Sequence, residues 1–157
     1  MEMPRPTPHH ARLAAFVGEW RGEEILHPSP WAPERKTASG RFSARIGVDG
    51  MFLITEYEEA REGAVFFRGH GVYGYDPHRE RYTMFWFDSM GMSPRPTFGT
   101  WEGDTLTFEN SHDHGRSRYV YAFEGPDAYT FKIFAAPPEG EWALFMEGRY
   151  RRVAPPG

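Results

Sequence analysis

The chain has 157 residues, 39% of them hydrophobic and 17% aromatic, with a formal net charge of −4 and no cysteine. That length suits one domain with a real core. The acidic balance, without a sustained basic stretch, excludes a nucleic-acid partner, and the missing thiols exclude disulfides, thiolate metal sites and a cysteine nucleophile. No apolar run is long enough to span a bilayer. The polar, proline-rich first ten residues do not read as a secretory signal, so a soluble cytoplasmic protein is expected.

Residues 1–6 read as a loose tail. Thr7-Pro8 has the form of a helix start, with Thr as N-cap and Pro in the first turn. Leu13, Phe16 and Val17 share one helical face and Gly18 ends it, so residues 7–17 are predicted to form a short amphipathic helix. From residue 19 to 152 short alternating or ring-rich runs follow one another, each bounded by Gly, Pro, Asp or Asn. They predict strands over 19–27, 39–48, 51–60, 65–75, 81–89, 97–102, 104–110, 117–124, 128–135 and 142–152. Such a succession, with no composition break, predicts an all-β single domain over 1–157. Its fold is an up-and-down antiparallel barrel of about ten strands, with the helix plugging one end.

In such a barrel successive connections alternate between the two ends. The turns Asp49-Gly50, Asp76-Pro77, Gly103-Asp104 and Pro126-Asp127 are tight and close one end, next to the helix. The connections 27–38, 89–96, 111–116 and 136–141 are longer, and only the turn at 61–64 is short among them. Binding loops gather where long loops sit on a rigid scaffold. The mouth is therefore expected near His27, Trp31, Met90, Met92, His112 and Trp142. An even strand count brings the last strand beside the first, so Arg149, Arg151 or Arg152 is expected over the ring of Trp20, a contact of about 0.5–2 kcal/mol.

A helix, then Gly18-x-Trp20 opening the first strand, then Arg near the end of the last, resembles the calycin superfamily, which includes the lipocalins. The run Phe16-Val17-Gly18-Glu19-Trp20-Arg21-Gly22-Glu23 is also similar to the opening of nitrobindin-type ten-stranded haem barrels. Further motifs are Gly71 with Gly74-Tyr75-Asp76, Trp86 with Asp88, Leu106-Thr107-Phe108, and Phe145-Met146-Glu147 with Tyr150-Arg151-Arg152. Together with Leu13 and Val17-Gly18-Glu19-Trp20 they resemble a family of uncharacterised bacterial lipocalin-like proteins. The resemblance implies the fold rather than an activity. Nitrobindin-type barrels hold haem through a His in the last strand, and the matching position here is Phe145. Haem is disfavoured on that ground, and no cofactor is expected.

A ten-stranded barrel is wider than the eight-stranded one that side chains just fill. A small apolar or aromatic ligand is therefore the expected partner. Tyr57, Trp86, Phe108, Phe131 and Met146 are expected to line the cavity, with Met90 at its rim and His70, Asp88 or Arg118 fixing a polar group. His70 stands between Gly69 and Gly71, which let a group approach the backbone, and Asp88 shares period-two parity with Trp86, Met84 and Tyr82. Were His70 and Asp88 to face one cavity, they would form the acid and base of a cofactor-independent isomerase, lyase or hydrolase. A haem or other tetrapyrrole is the remaining alternative. The pair His112 and His114 lacks a third ligand fixed by spacing, so no metal is expected. Val65-Phe66-Phe67 and Met84-Phe85-Trp86-Phe87 are apolar on both faces, which predicts that something covers the outer wall, most economically a second copy of the chain and otherwise a helix or loop.

Overall fold

The computed structural model describes residues 1–30 and 32–154; Trp31, expected at the mouth, lies outside the described residues. A five-residue helix α1 (Pro8–Arg12) runs into a 3₁₀ turn (Leu13–Phe16). Ten strands follow: β1 (Gly18–Leu26), β2 (Lys36–Gly47), β3 (Phe52–Arg61), β4 (Ala64–Asp76), β5 (Arg81–Asp88), β6 (Thr97–Glu102), β7 (Thr105–His112), β8 (Gly115–Phe123), β9 (Ala128–Ala136) and β10 (Ala143–Ala154). Each pairs antiparallel with its sequence neighbours, and β10 closes on β1, so the sheet forms the expected closed barrel.

Alternation decides which side chains fill the interior. On β1, Trp20, Gly22 and Glu24 are buried while Glu19, Arg21 and Glu23 face solvent. On β3, Leu53, Thr55, Tyr57 and Glu59 point inward; on β4, Gly69, Gly71 and Tyr73 do. The half of the barrel at the tight-turn end is packed solid. Phe16 carries its ring into the barrel and meets Phe42, Trp101, Tyr121, Phe123 and Tyr129, mostly edge to face at centroid distances of 5.0–6.4 Å. The hydroxyls of Tyr73 on β4 and Tyr121 on β8 meet across the lumen at 3.2 Å, so side chains span the tube and form a floor.

The helix seals this end as expected, as a single α-turn passing into the 3₁₀ turn. The Thr7 N–H donates to His10 Nδ1 at 3.0 Å, capping the first turn. Arg12 donates to the Gly103 carbonyl at 2.6 Å, and Tyr82 Oη donates to the His9 carbonyl at 2.8 Å. Of the three candidate arginines, Arg152 lies over Trp20, at 4.3 Å from the ring centroid. Its guanidinium donates to the carbonyls of Val17, Ala15 (3.2 Å) and Pro126 (3.0 Å) and pairs with Asp127 at 3.1 Å. One side chain thus ties the end of the 3₁₀ turn, the β8–β9 turn and the first strand together.

At the mouth, the connection expected at 111–116 is shorter than its residues suggested. β7 and β8 continue to His112 and Gly115, which face each other across Asp113-His114. The His114 N–H donates to His112 Nδ1 at 3.2 Å, using that nitrogen to hold the turn. One seam is incomplete. β5 pairs with β4 from Arg81 to Asp88 but with β6 only from Tyr82 to Met84. Outside, Val65, Phe66, Phe85 and Phe87 are exposed, the last at 43%.

Candidate functional site

Above the Tyr73–Tyr121 floor lies the mouth half of the barrel, a cup of inward side chains. Tyr57, Trp86, Tyr119 and Phe131 point inward yet remain only half-buried. An inward residue of a closed barrel keeps exposure only where solvent reaches the lumen. Glycines on the wall let the larger rings lie flat against it. A Cβ on Gly69 would run into the indole of Trp86, and one on Gly22, Gly40 or Gly148 would run into Tyr150. Trp86 is held further by its N–H, which donates to Asp88 Oδ2 at 3.0 Å.

The polar centre of the cup lies on its β1–β3–β10 side. Glu24 is 1% exposed and Glu59 is 6% exposed. Tyr57 Oη lies 2.8 Å from both carboxyl oxygens of Glu24 and 3.1 Å from Glu59 Oε2. Tyr150 Oη donates to Glu24 as well. Burial, the hydrogen bond with Glu59 and the charge of Glu59 push the Glu24 carboxyl up to about 8, against the opposing donation of the two phenols. The direction favours the protonated acid of Glu24 over its carboxylate. Burial and the neighbouring carboxylates drive the Tyr57 and Tyr150 hydroxyls well above their ordinary value, so both remain hydrogen-bond donors. Across the cup Asn110 donates to Thr97 at 3.4 Å, while its carboxamide oxygen is buried without a partner.

The residues expected to line a cavity divide between the two faces of the sheet. Tyr57, Trp86, Asp88, Phe131 and Met146 face inward in the mouth half, and Phe108 faces inward at 0% exposure, within the packed half. Asp88 has a double role, since Oδ1 also accepts the Met90 N–H at 2.9 Å and fixes the following turn. Met90 is exposed in the 89–96 loop. His70 stands on the outer wall, because the inward positions of β4 belong to Gly69 and Gly71. Its Nδ1 meets Glu56 at 2.5 Å and its ring leans on Phe87. His70 and Asp88 therefore do not share a cavity, and the acid–base pair of the alternative reading is not assembled. Arg118 is also outside, paired with Glu109 at 2.5 Å and lying 4.3 Å over the Trp142 ring. Trp142 is thus clamped to the outer wall rather than placed in the mouth.

Glu24 and Glu59 were not anticipated. Their signal was parity: Glu24 is in phase with Trp20, and Glu59 with Leu53, Thr55 and Tyr57. On β7, His112 is in phase with the inward Leu106, Phe108 and Asn110 and stands exposed at the rim. His27 pairs with Glu147 at 3.2 Å, and His9 stacks on Tyr75 beside the plug. The buried polar wall is made of carboxyls and of phenols held in their donor form.

A closed ten-stranded barrel, plugged at one pole and carrying a polar wall in its mouth half, is consistent with a lipocalin-like fold. Residues 5–152 match the family described as "Protein of unknown function (DUF1579)", and the chain belongs to that family. The chain is similar in fold to Rv2717c from M. tuberculosis, at TM-score 0.69 and 12% identity, over 93% of this chain and 98% of that one. It is also similar to the S-type phycobiliprotein lyase CPES from Guillardia theta, at TM-score 0.66 and 14% identity, over 97% and 99% of the two chains. Comparison with curated proteins finds no match. Among the described residues no helix is long and apolar enough to cross a membrane.

Proposed function

We propose that the protein binds a small, largely apolar or aromatic molecule in the mouth-side cup, with its ring against Trp86, Tyr57 and Phe131 and a polar group toward the carboxyl-bearing wall. The observation that carries this reading is the set of inward rings left only partly buried above a sealed floor; apolar walls with a few converging polar groups characterise ligand sites. Mass spectrometry of molecules extracted from the purified protein, with quenching of Trp86 fluorescence by added aromatics, tests it. A co-purifying passenger or saturable quenching that Trp86→Phe abolishes is expected. No passenger, together with quenching that never saturates, refutes it.

A tetrapyrrole is the second reading, favoured by the likeness to a protein named as a phycobiliprotein lyase. The apolar band of Phe85 and Phe87 beside Val65 and Phe66 is best read as the contact between two copies of the chain, since an exposed ring cluster on a sheet face is costly to leave in water.

A further inference from the structure

We propose that a second binding site lies at the closed pole, in the cleft between the plug and the tight turns, and that it takes a flat aromatic molecule carrying a carboxylate. This site is separate from the mouth-side cup, which lies beyond the Tyr73–Tyr121 floor. The cleft has a volume of about 510 Å³, within the range of about 300–1,000 Å³ that small-molecule sites occupy. Small residues create the space. Ala11, Ala14 and Ala15 line it on the plug side and Gly103 and Gly125 on the turn side, so no long side chain fills it.

The rings beneath set the shape of the occupant. Trp101 and Phe123 line the cleft with their planes 12° apart and their centroids 6.1 Å apart. Both remain only partly buried. Two nearly coplanar rings between small-residue walls offer a flat apolar face, on which another ring gains offset or edge contacts.

Charge sets the other end of the occupant. The ionisable residues lining the cleft are Arg12, Arg152 and Asp104. Arg152 is committed elsewhere, to the carbonyls of Val17, Ala15 and Pro126 and to Asp127. Arg12 is not. It lies 4.9 Å over the Trp101 ring and donates from Nη2 to the Gly103 carbonyl at 2.6 Å. No ion pair among the described residues involves it, so Asp104 shares the cleft without neutralising it. These two contacts hold one positively charged planar fork at the edge of the ring pair. A guanidinium of that kind matches a carboxylate, which accepts parallel N–H donors. An aromatic acid lying on Trp101 and Phe123 with its carboxylate toward Arg12 satisfies both ends. It also touches plug and turns together, so binding should hold the plug more firmly in place.

Three probes sharing one ring test the proposal by calorimetric titration: 2-naphthoate, 2-naphthylmethanol and 2-naphthylmethylammonium. Naphthoate is expected to bind at least about tenfold more tightly than the alcohol, with the ammonium weakest, and added salt should narrow the gap. In amide NMR spectra naphthoate should shift Ala11, Ala14, Ala15, Gly103 and Gly125 and leave Tyr57 and Trp86 in place. Arg12→Gln should remove the advantage over the alcohol. Ala14→Leu, which fills the cleft, should abolish binding of both. Arg12 and Ala14 are exposed, so neither change disturbs the core. Equal affinities for acid and alcohol, an unchanged preference in Arg12→Gln, or native-like naphthoate binding in Ala14→Leu overturns the proposal. Shifts confined to Tyr57, Trp86 and Phe131 would place the acid in the cup, so that the pole site falls and the cup stands. Absence of saturable naphthoate binding removes the pole site alone.

Discussion

Replacing Glu24 by Gln should invert the pH response of the fold. In the native protein this carboxyl is pushed up from 4.5 to about 8. Between those values the folded state holds a proton that the unfolded chain has released. Stability therefore falls as pH rises through this window, by about 1.4 kcal/mol for each pH unit that separates the two states. Over the full interval this amounts to at most about 5 kcal/mol, a large share of the about 5–15 kcal/mol that holds a typical domain together. Gln keeps the shape and one acceptor oxygen for the phenols but carries no charge. Below pH 5 it should cost about 1 kcal/mol, for a weakened hydrogen bond. At pH 8 the variant should be the more stable protein by a few kcal/mol. His10, lowered chiefly by its burial, acts with the opposite sign by favouring the folded state as pH rises, but it acts equally in both proteins and cancels in the difference. Urea unfolding of both proteins at half-unit steps from pH 5 to 9 measures that difference. Two parallel stability profiles would refute the argument, because they would mean that Glu24 ionises in the fold as it does in water.

Arg152→Ala removes the guanidinium from Trp20 and leaves the carbonyls of Val17, Ala15 and Pro126 without their donor, so unfolding free energy should fall by about 2–4 kcal/mol in urea titrations, with Arg152→Lys recovering only part of it. Gly69→Ala should force the Trp86 ring off the wall toward the axis of the cup; its fluorescence should shift, and the affinity for any aromatic guest should drop about tenfold or more while far-ultraviolet circular dichroism stays unchanged. Phe87→Glu on the outer wall should convert a dimer into a monomer in sedimentation velocity without altering ligand affinity. A native protein that already sediments as a monomer would remove the two-copy reading.

The fold was largely legible in the chain because period-two alternation and turn residues are local signals. Ten runs of that kind left few topologies, and Asp49-Gly50, Asp76-Pro77 and Pro126-Asp127 marked the closed end correctly. The Arg–Trp clasp was legible too, since strand count alone brings the chain's first and last strands together. The site was less so. Glu24 and Glu59 look like ordinary solvent-facing glutamates in composition, and only strict phase-counting from Trp20 and Leu53 sets them inside. His70 misled for the reverse reason. Its flanking glycines do permit a close approach, but they are themselves the inward residues, and the group that approaches them is the Trp86 ring. Arg118 and Trp142 find each other across a loop whose path no local pattern encodes.

The unequal seams of the barrel have a mechanical meaning. The Ser89 N–H bonds to the Arg68 carbonyl at 3.0 Å, so the odd residues of β5 spend their main-chain groups on β4. Those of Trp86 turn the other way, where β6 has ended its pairing at Thr97. A tube stitched so unevenly yields first along its shortest row of stitches. Strain applied to the wall concentrates in that slit, beside the indole that a guest would touch, while the plugged pole stays rigid.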